Sequence, residues 1–268
     1  MSDVVLVNGE PATEPDRSAD RLLGLTCFDT IAVEDGVLVD GEAHLERLAR
    51  GARTLGLGPV GGWEAVDEAI EDALARSNHE TGVLRVSLHA NGEPVGLHME
   101  ERSADVRVAV TPARYGDLAE GVVAVTSTIP APTDAWPAHV KAPCLPRIMA
   151  HREARGRNAF EGLMLDGSDR VVCGTRSNVF ARLDDELVTP PSPPAFPGIT
   201  RRRVREAADR LGIDVHVRPL PRSALEEARE LFVTFTGPGI VPVVELDGAP
   251  VGAGDPGPWA RELAGPLG

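Results

Sequence analysis

The sequence predicts an α+β protein of two domains, and three features of its pattern lead to that prediction. Short β-type runs separated by turn residues occur along the whole chain, which favours sheets over a helical bundle. Two amphipathic helices interrupt these runs in the first half. A proline-rich stretch then separates two halves, each long enough to form its own core. We therefore expect an N-terminal domain (1–128), a linker (129–140) and a C-terminal domain (141–268).

The N-terminal half is predicted to be a mostly antiparallel sheet with a helical pair. Apolar residues recur at helical spacing after Glu42 and after Trp63, and Gly56 ends the first helix. Turn signals at 35–36 and 91–92 separate neighbouring strands. The predicted helices are Glu42–Leu55 and Trp63–Ala75, and the predicted strands are Val4–Val7, Phe28–Val33, Val37–Val39, Val83–His89, Gly96–Met99, Val106–Thr111 and Val122–Ser127.

The C-terminal half is predicted to be richer in strands. Gly212 closes the second of its two helices, as glycine commonly does at a helix C-terminus. The predicted helices are Leu145–Gly156 and Thr200–Leu211, and the predicted strands are Gly162–Leu165, Arg170–Cys173, Val179–Leu183, Glu186–Thr189, Val215–Arg218, Leu231–Phe235 and Val241–Leu246.

The composition excludes several classes of function. The formal net charge of −14 disfavours nucleic acids and anionic membrane surfaces as partners. The three cysteines, Cys27, Cys144 and Cys173, lie far apart, which argues against a zinc site and against disulfides, and we expect no metal. No apolar run approaches the roughly 20 residues that span a bilayer, and the N-terminus lacks the features of a signal peptide. We expect a cytoplasmic protein.

Lysine is almost absent from the chain: of its 27 basic side chains, only Lys141 is a lysine. Arginine can replace lysine in most surface roles. It cannot form a Schiff base with an aldehyde, because its guanidinium stays protonated. A position that requires a nucleophilic amine would therefore keep its lysine. The alternative is that Lys141 survived a composition bias by chance.

Two further segments have the character of anion sites. In Pro197-Gly198-Ile199-Thr200, a turn opens a helix, and the free N–H groups and dipole of a helix N-terminus attract anions. The run from Thr234 to Gly239 places hydroxyls and glycines at the end of a strand. An ordinary capped helix and a plain turn are the alternatives. Arg47, in the first helix, is either a ligand-binding residue or a solvated arginine.

The order of these elements resembles the class IV aminotransferases, the fold-type IV enzymes that depend on pyridoxal 5'-phosphate (PLP). The resemblance spans nearly the whole chain and implies a small N-terminal α/β sandwich with a larger, barrel-like C-terminal domain. The matching segments are FDTIAVEDG (28–36), EAHLERL (42–48), GTRSNVF (174–180), LVTPP (187–191), PGITR (197–201), AADRLGI (207–213) and the run from Phe232 to Val243.

The resemblance implies a role for individual residues. Lys141 would form the Schiff base with PLP, and Arg47 would bind the cofactor phosphate. Ile199, Thr200 and Thr236 would form the rest of the phosphate site, and Thr30 would face the substrate. Cys173 stands where the family usually has a glutamate paired with the pyridine nitrogen, and a thiol there would make the ring a weaker electron sink. The family also implies a homodimer.

These matches leave three functions open. The first is an aminotransferase that moves an amino group between an amino acid and a 2-oxo acid. The second is the similar 4-amino-4-deoxychorismate lyase. The Phe28-Asp29-Thr30 opening resembles the lyase and the D-amino-acid aminotransferases slightly more than the branched-chain aminotransferases. The third is a degenerate member that binds PLP or a phosphorylated metabolite without turnover. It is motivated by the unusual Cys173 and by the loop after Lys141, which is one residue shorter than the family pattern.

Overall fold

The chain divides into two compact units. The computed structural model describes residues 6–7, 10–11, 24–77, 79–92, 102–113, 115–116, 118–133 and 137–267. Unit 1 consists of the described residues up to Ala113 together with Val140–Pro143, and unit 2 consists of those in 114–139 and 144–267. The short segment Val140–Pro143, here called the lysine segment, thus belongs to unit 1 although unit 2 precedes and follows it in sequence.

Unit 1 is an α+β unit built on a five-stranded sheet in the order β4-β3-β6-β7-β5. All neighbouring strands are antiparallel except β5 and β7. A separate two-stranded pair consists of β1 (Leu6–Val7) and β2 (Glu10–Pro11). The other strands are β3 (Thr26–Glu34), β4 (Val37–Leu38), β5 (Leu57–Pro59), β6 (Gly82–Ala90) and β7 (Arg102–Pro112), and the helices are α1 (Gly41–Thr54) and α2 (Gly62–Arg76).

One face of this sheet packs against the helices. Successive side chains of a strand point to opposite faces, so Cys27, Ile31 and Val33 of β3 share the inner face and are buried. They form one core cluster with Leu48 of α1 and Val66 of α2. Asp29 has the same register as these apolar residues, and its side chain is therefore buried as well.

Unit 2 is built on a ten-stranded mixed sheet in the order β13-β12-β11-β15-β16-β8-β9-β10-β14, with β17 on β16. Its strands are β8 (Val122–Thr126), β9 (Glu161–Leu165), β10 (Arg170–Gly174), β11 (Asn178–Leu183), β12 (Glu186–Thr189), β13 (Val215–Val217), β14 (Leu220–Pro221), β15 (Glu230–Phe235), β16 (Gly239–Leu246) and β17 (Ala249–Pro250). Its helices are α3 (Leu145–Gly156), α4 (Ile199–Leu211), α5 (Arg222–Glu226), α6 (Pro258–Ala264) and a 3-10 turn at Gly265–Leu267.

The predicted α+β class and most predicted elements are confirmed, but the units divide differently from the expected domains. The strand β8, expected to close the first domain, pairs with β9 and β16 in the sheet of unit 2. The structure also contains six elements that are not predicted from the sequence: β2, β5, β14, β17, α5 and α6. The predicted strand Gly96–Met99 lies outside the described residues.

Candidate active site

The backbone of Lys141 holds this residue against the strand β3 of unit 1. The amide of Phe28 in β3 donates a hydrogen bond of 2.9 Å to the carbonyl of Lys141. This bond docks the lysine segment along β3, where the short β4 pairs only with Val33 and Glu34. The side chain of Lys141 is 26% exposed, and its Nζ lies 3.4 Å from Oδ1 of Asp29.

Asp29 is the fully buried carboxylate at the centre of this group. Its Oδ1 accepts from the Thr30 amide at 2.7 Å, from His44 Nδ1 at 2.9 Å and from Arg47 Nη2 at 2.8 Å. Its Oδ2 accepts from Arg47 Nε at 2.8 Å. Burial alone would raise the pKa of Asp29, but the Lys141 ammonium and the hydrogen bonds from His44 and Arg47 outweigh it and lower that pKa far below its ordinary value. Asp29 is therefore ionised.

The helix α1 supplies two of these donors. His44 and Arg47 lie three residues apart, so they share the buried face of the helix. Burial lowers the pKa of His44, although Asp29 opposes that change. Its imidazole is therefore neutral at neutral pH. Because an ionised carboxylate can only accept, Nδ1 must carry the proton of that ring.

Two opposing effects determine the pKa of the Lys141 amine. Burial disfavours the ammonium form and lowers the pKa of Lys141 from 10.5 to about 8, while Asp29 acts in the opposite direction. Arg47 and Arg85 add smaller repulsive contributions. A large share of the amine is consequently neutral and nucleophilic in mildly alkaline solution.

The opposite face of β3 carries an aromatic and cationic surface. The guanidinium carbon of Arg85 lies 3.5 Å from the ring centroid of Phe28, a cation–π contact. Arg85 is paired across the sheet with Thr30, the residue expected to face the substrate. Burial lowers the pKa of Arg85.

In unit 2, the predicted anion site is the N-terminus of α4. Ile199 is buried and Thr200 is half-buried at its first turn. The residue before them must be glycine, because the Asn178 side chain occupies the space that a Cβ of Gly198 would need. Asn178 in turn donates to the carbonyl of Phe196 at 2.8 Å. The turn that opens α4 is therefore fixed by a residue of β11.

The arginine that follows this turn also has a structural role. Arg201 is buried, and it donates to the Pro190 carbonyl at 2.8 Å and to Thr189 Oγ1 at 3.2 Å. Burial lowers its pKa to about 10. These bonds tie the first turn of α4 to the end of β12. Thr236 lies just beyond the end of β15, as the sequence predicts for a loop residue.

Cys173 has no exposed surface. It lies in a cluster of small and apolar side chains, Ala131, Ala150, Met164, Val172 and Ala195. Burial raises the pKa of its thiol, although Arg147 of α3 opposes that change. The thiol is therefore neutral, as the sequence analysis assumes. Its proposed place beside the pyridine nitrogen stays a prediction.

A second buried carboxylate, Glu161, accepts hydrogen bonds that stabilise the turn after Cys173. It accepts from the amides of Gly162 at 2.9 Å and Thr175 at 3.0 Å, and from Ser177 Oγ at 2.8 Å. The hydroxyl of Thr175 donates a further, short bond to it. Glu161 thereby accepts hydrogen bonds from the amide and hydroxyl of Thr175 and from the hydroxyl of Ser177 in the GTRSN run.

The structure brings together Lys141 and Arg47 in unit 1, and Ile199 and Thr200 in unit 2. Asp29, His44 and Glu161 also belong to these buried groups, although they are not among the site residues predicted from the sequence. A signal for Asp29 was present: it is a charged residue on the inward face of β3, which is otherwise apolar. Such a residue requires buried partners. The described residues contain no group of metal-binding side chains, and no described helix is long and apolar enough to cross a membrane.

Known proteins with similar sequences and structures have the same fold as this chain. The family model for amino-transferase class IV matches residues 26–246. The branched-chain-amino-acid aminotransferase of Escherichia coli (strain K12) is 31% identical over 252 residues, which cover 90% of this chain and 80% of that protein. A crystal structure of the Escherichia coli branched-chain amino acid aminotransferase superimposes with a TM-score of 0.86 at 28% identity, covering 96% of this chain and 90% of that chain.

A third relative is the branched-chain aminotransferase of the thermophilic archaeon Thermoproteus uzoniensis, whose crystal structure was determined with norvaline. It superimposes with a TM-score of 0.86 at 28% identity and covers 97% of this chain and 91% of that chain. The fold and the family model thus define the class of protein, a fold-type IV aminotransferase. The chain belongs to the class IV aminotransferase family.

Proposed function

We propose that this protein is a PLP-dependent aminotransferase that transfers an amino group between an amino acid and a 2-oxo acid. The observation that carries the proposal is the position of Lys141. The only lysine of the chain is partly exposed, has a lowered pKa, and lies beside Arg47 at a common buried carboxylate.

The donor set of unit 1 fits PLP. The aldehyde and the phosphate ester of PLP are attached to adjacent ring carbons, so the residues that bind them must be close neighbours. Lys141 Nζ and Arg47 Nη2 both lie within hydrogen-bond range of Asp29 Oδ1, and they are therefore only a few ångströms apart. Lys141, Arg47 and Arg85 together carry more positive charge than the single negative charge of Asp29 can balance. This local excess of positive charge favours a phosphate in an otherwise acidic protein.

Each residue of the candidate site has a separate role in the proposed reaction. PLP, when bound, supplies a ring that accepts electron density from the substrate Cα. Lys141 Nζ would hold the cofactor by its aldehyde carbon, and in its free, neutral form the same amine would take the proton from Cα and return it. Arg47 binds the phosphate, and Ile199, Thr200 and Thr236 are the further phosphate donors expected from the family.

The substrate is proposed from the relatives, which are named as branched-chain-amino-acid aminotransferases. Valine, leucine and isoleucine are accordingly the first amino donors to test. The PLP-loaded protein should lose the absorbance of its bound aldehyde when one of them is added without an acceptor, and regain it with a 2-oxo acid. If no D- or L-amino acid changes the spectrum, the aminotransferase proposal fails. Release of pyruvate from 4-amino-4-deoxychorismate would instead support the lyase.

Arg47→Gln is expected to weaken PLP binding by about 10- to 100-fold, the equivalent of the roughly 1.5–3 kcal/mol of a hydrogen bond to a charged group. Binding of pyridoxal, which lacks the phosphate, should change much less. Titration of the absorbance of the bound aldehyde measures both affinities. Arg53→Gln, on an exposed position of the same helix, is the control. Equal losses for PLP and pyridoxal would show that Arg47 does not bind the phosphate.

Cys173→Glu tests the electronic role expected of this position. If residue 173 faces the pyridine nitrogen, a carboxylate there adds a charge-assisted bond, and we expect turnover to rise by about tenfold or more. Steady-state kinetics with an accepted amino donor measure the change. Cys173→Ala, which removes the thiol without adding a charge, should match wild type. An unchanged turnover in a Glu variant that still binds PLP would show that the position has no electronic role.

We also propose that the protein is a homodimer, as expected from its family. Light scattering of the purified protein checks this assembly, and a monomer at micromolar concentration would contradict it.

A further inference from the structure

Among the described residues, Asp29 is the carboxylate that touches both of the side chains expected to hold the two ends of the cofactor. It contacts Lys141 through Oδ1 and Arg47 through both oxygens. The two bonds to Arg47 form a planar, bidentate pair, which fixes the orientation of the guanidinium as well as its position. Asp29 itself has no exposed surface.

The burial of this carboxylate is stabilised by its donors. A buried charge is tolerated only when it is paired and hydrogen-bonded. Asp29 meets this condition through the Thr30 amide, the neutral His44 and Arg47, while Lys141 makes the longest of the four contacts, at 3.4 Å. The carboxylate therefore stays in place when the lysine amine moves or loses its proton.

We infer that Asp29 is a positioning residue that serves as the common counter-ion of Lys141 and Arg47, fixing the place of both and holding the proton on the Lys141 amine. The inference rests on the proposed function for its meaning in catalysis, but not for its test. His44 is the neutral donor that keeps Asp29 oriented.

The inference accounts for the charged groups around the amine. From β3, Asp29 attracts the ammonium form; from α1, Arg47 repels it; from β6, Arg85 repels it. A further ionisable neighbour of Asp29, Cys27, is neutral because burial, reinforced by Asp29, raises its pKa to about 12. Asp29 is thus the group that favours the protonated amine, and removing its charge leaves burial and two cations acting in the same direction.

The single lysine makes the test direct. Trace acetylation of the PLP-free protein over a neutral to alkaline pH series, with mass spectrometry of the peptide containing Lys141, gives the midpoint at which this amine becomes reactive. The wild-type midpoint is expected at about pH 8. In Asp29→Asn it should fall by about one to three pH units, the range for loss of a neighbouring opposite charge.

Three further variants separate charge from packing. Asp29→Glu keeps the charge and should restore a midpoint near that of wild type. His44→Gln keeps a neutral donor and should leave the midpoint unchanged. Asp72→Asn, which breaks the exposed pair of Asp72 with Arg76, is the matched control and should also leave it unchanged. Thermal melting of each variant verifies that it is folded. If Asp29→Asn does not fold, the Asp29→Asn, Arg47→Gln double variant removes both members of the buried pair, and its midpoint should lie below that of Arg47→Gln; equal midpoints in these two variants would overturn the inference.

An unchanged midpoint in folded Asp29→Asn would overturn the inference, as would equal shifts in Asp29→Asn and His44→Gln. A large fall of the midpoint in Asp29→Glu would do so as well. Because the titration needs no cofactor, its result is independent of whether the wild-type protein binds PLP. A failure of the proposed function, seen as no PLP binding, is therefore distinguishable from a failure of this inference.

Discussion

Lys141→Arg is expected to abolish the covalent retention of PLP and to lower aminotransferase turnover by at least about 10²- to 10⁴-fold, the usual contribution of a positioned acid–base group. Arginine keeps the positive charge beside Asp29 but cannot bond to the aldehyde, because its guanidinium does not lose its proton. Borohydride treatment followed by peptide mapping measures retention. In wild type it should place a pyridoxyl group on Lys141, and in the variant it should find none at residue 141.

The composition of the chain offers a strict control for this experiment. A Lys141→Arg, Arg76→Lys double variant still contains one lysine, now on the exposed end of α2. It should behave like the single variant, because an exposed lysine lacks the buried surroundings that lower the pKa of Lys141. Stoichiometric labelling of wild type at any residue other than Lys141 would contradict the assignment.

Glu161→Leu is expected to destabilise unit 2 by about 3–5 kcal/mol, because each buried donor that is left without an acceptor costs about 1–3 kcal/mol. The substitution leaves the amides of Gly162 and Thr175 and the hydroxyl of Ser177 without their acceptor. Urea unfolding followed by circular dichroism measures the loss, and the melting temperature should fall by about 2–4 °C per kcal/mol in a chain of this size.

Glu161→Gln is the matched variant, because its amide keeps one oxygen acceptor. The Glu161 Oε1 atom accepts three of the four bonds, while Oε2 accepts only from Ser177, whose hydroxyl can also act as an acceptor. We expect a cost of about 1 kcal/mol for this variant. Equal stabilities of the Leu and Gln variants would show that the hydrogen bonds of Glu161 do not brace the turn.

Features set by local sequence could be predicted. The helix Leu145–Gly156 has the predicted bounds, because a proline marks its first turn and a glycine its last position. The start of α4 was predicted within one residue for the same kind of reason, a Pro-Gly turn before an amphipathic run. Lys141 and Arg47 were singled out by composition and by family resemblance, and the structure places them side by side.

Features set by distant residues could not be predicted in this way. Asn178 fixes the turn at Gly198 from twenty positions away, and no local pattern connects the two. The strand β8 belongs to unit 2 because its partners, β9 and β16, lie far along the chain. Glu161 lies just before the predicted strand Gly162–Leu165, and its role depends on hydrogen bonds from Thr175 and Ser177 that only the folded chain creates.

The membership of the lysine segment in unit 1 has a consequence for dissecting the protein. A fragment that ends at Ala113 contains Asp29, His44 and Arg47 but not Lys141, and a fragment that begins after it contains Lys141 but not the strand edge at Phe28 on which that residue docks. Neither fragment alone therefore holds the nucleophile together with its counter-ion. We therefore expect retention of PLP at Lys141 only after the two pieces reassemble, which makes this cut a suitable place for a split reporter whose signal depends on complementation.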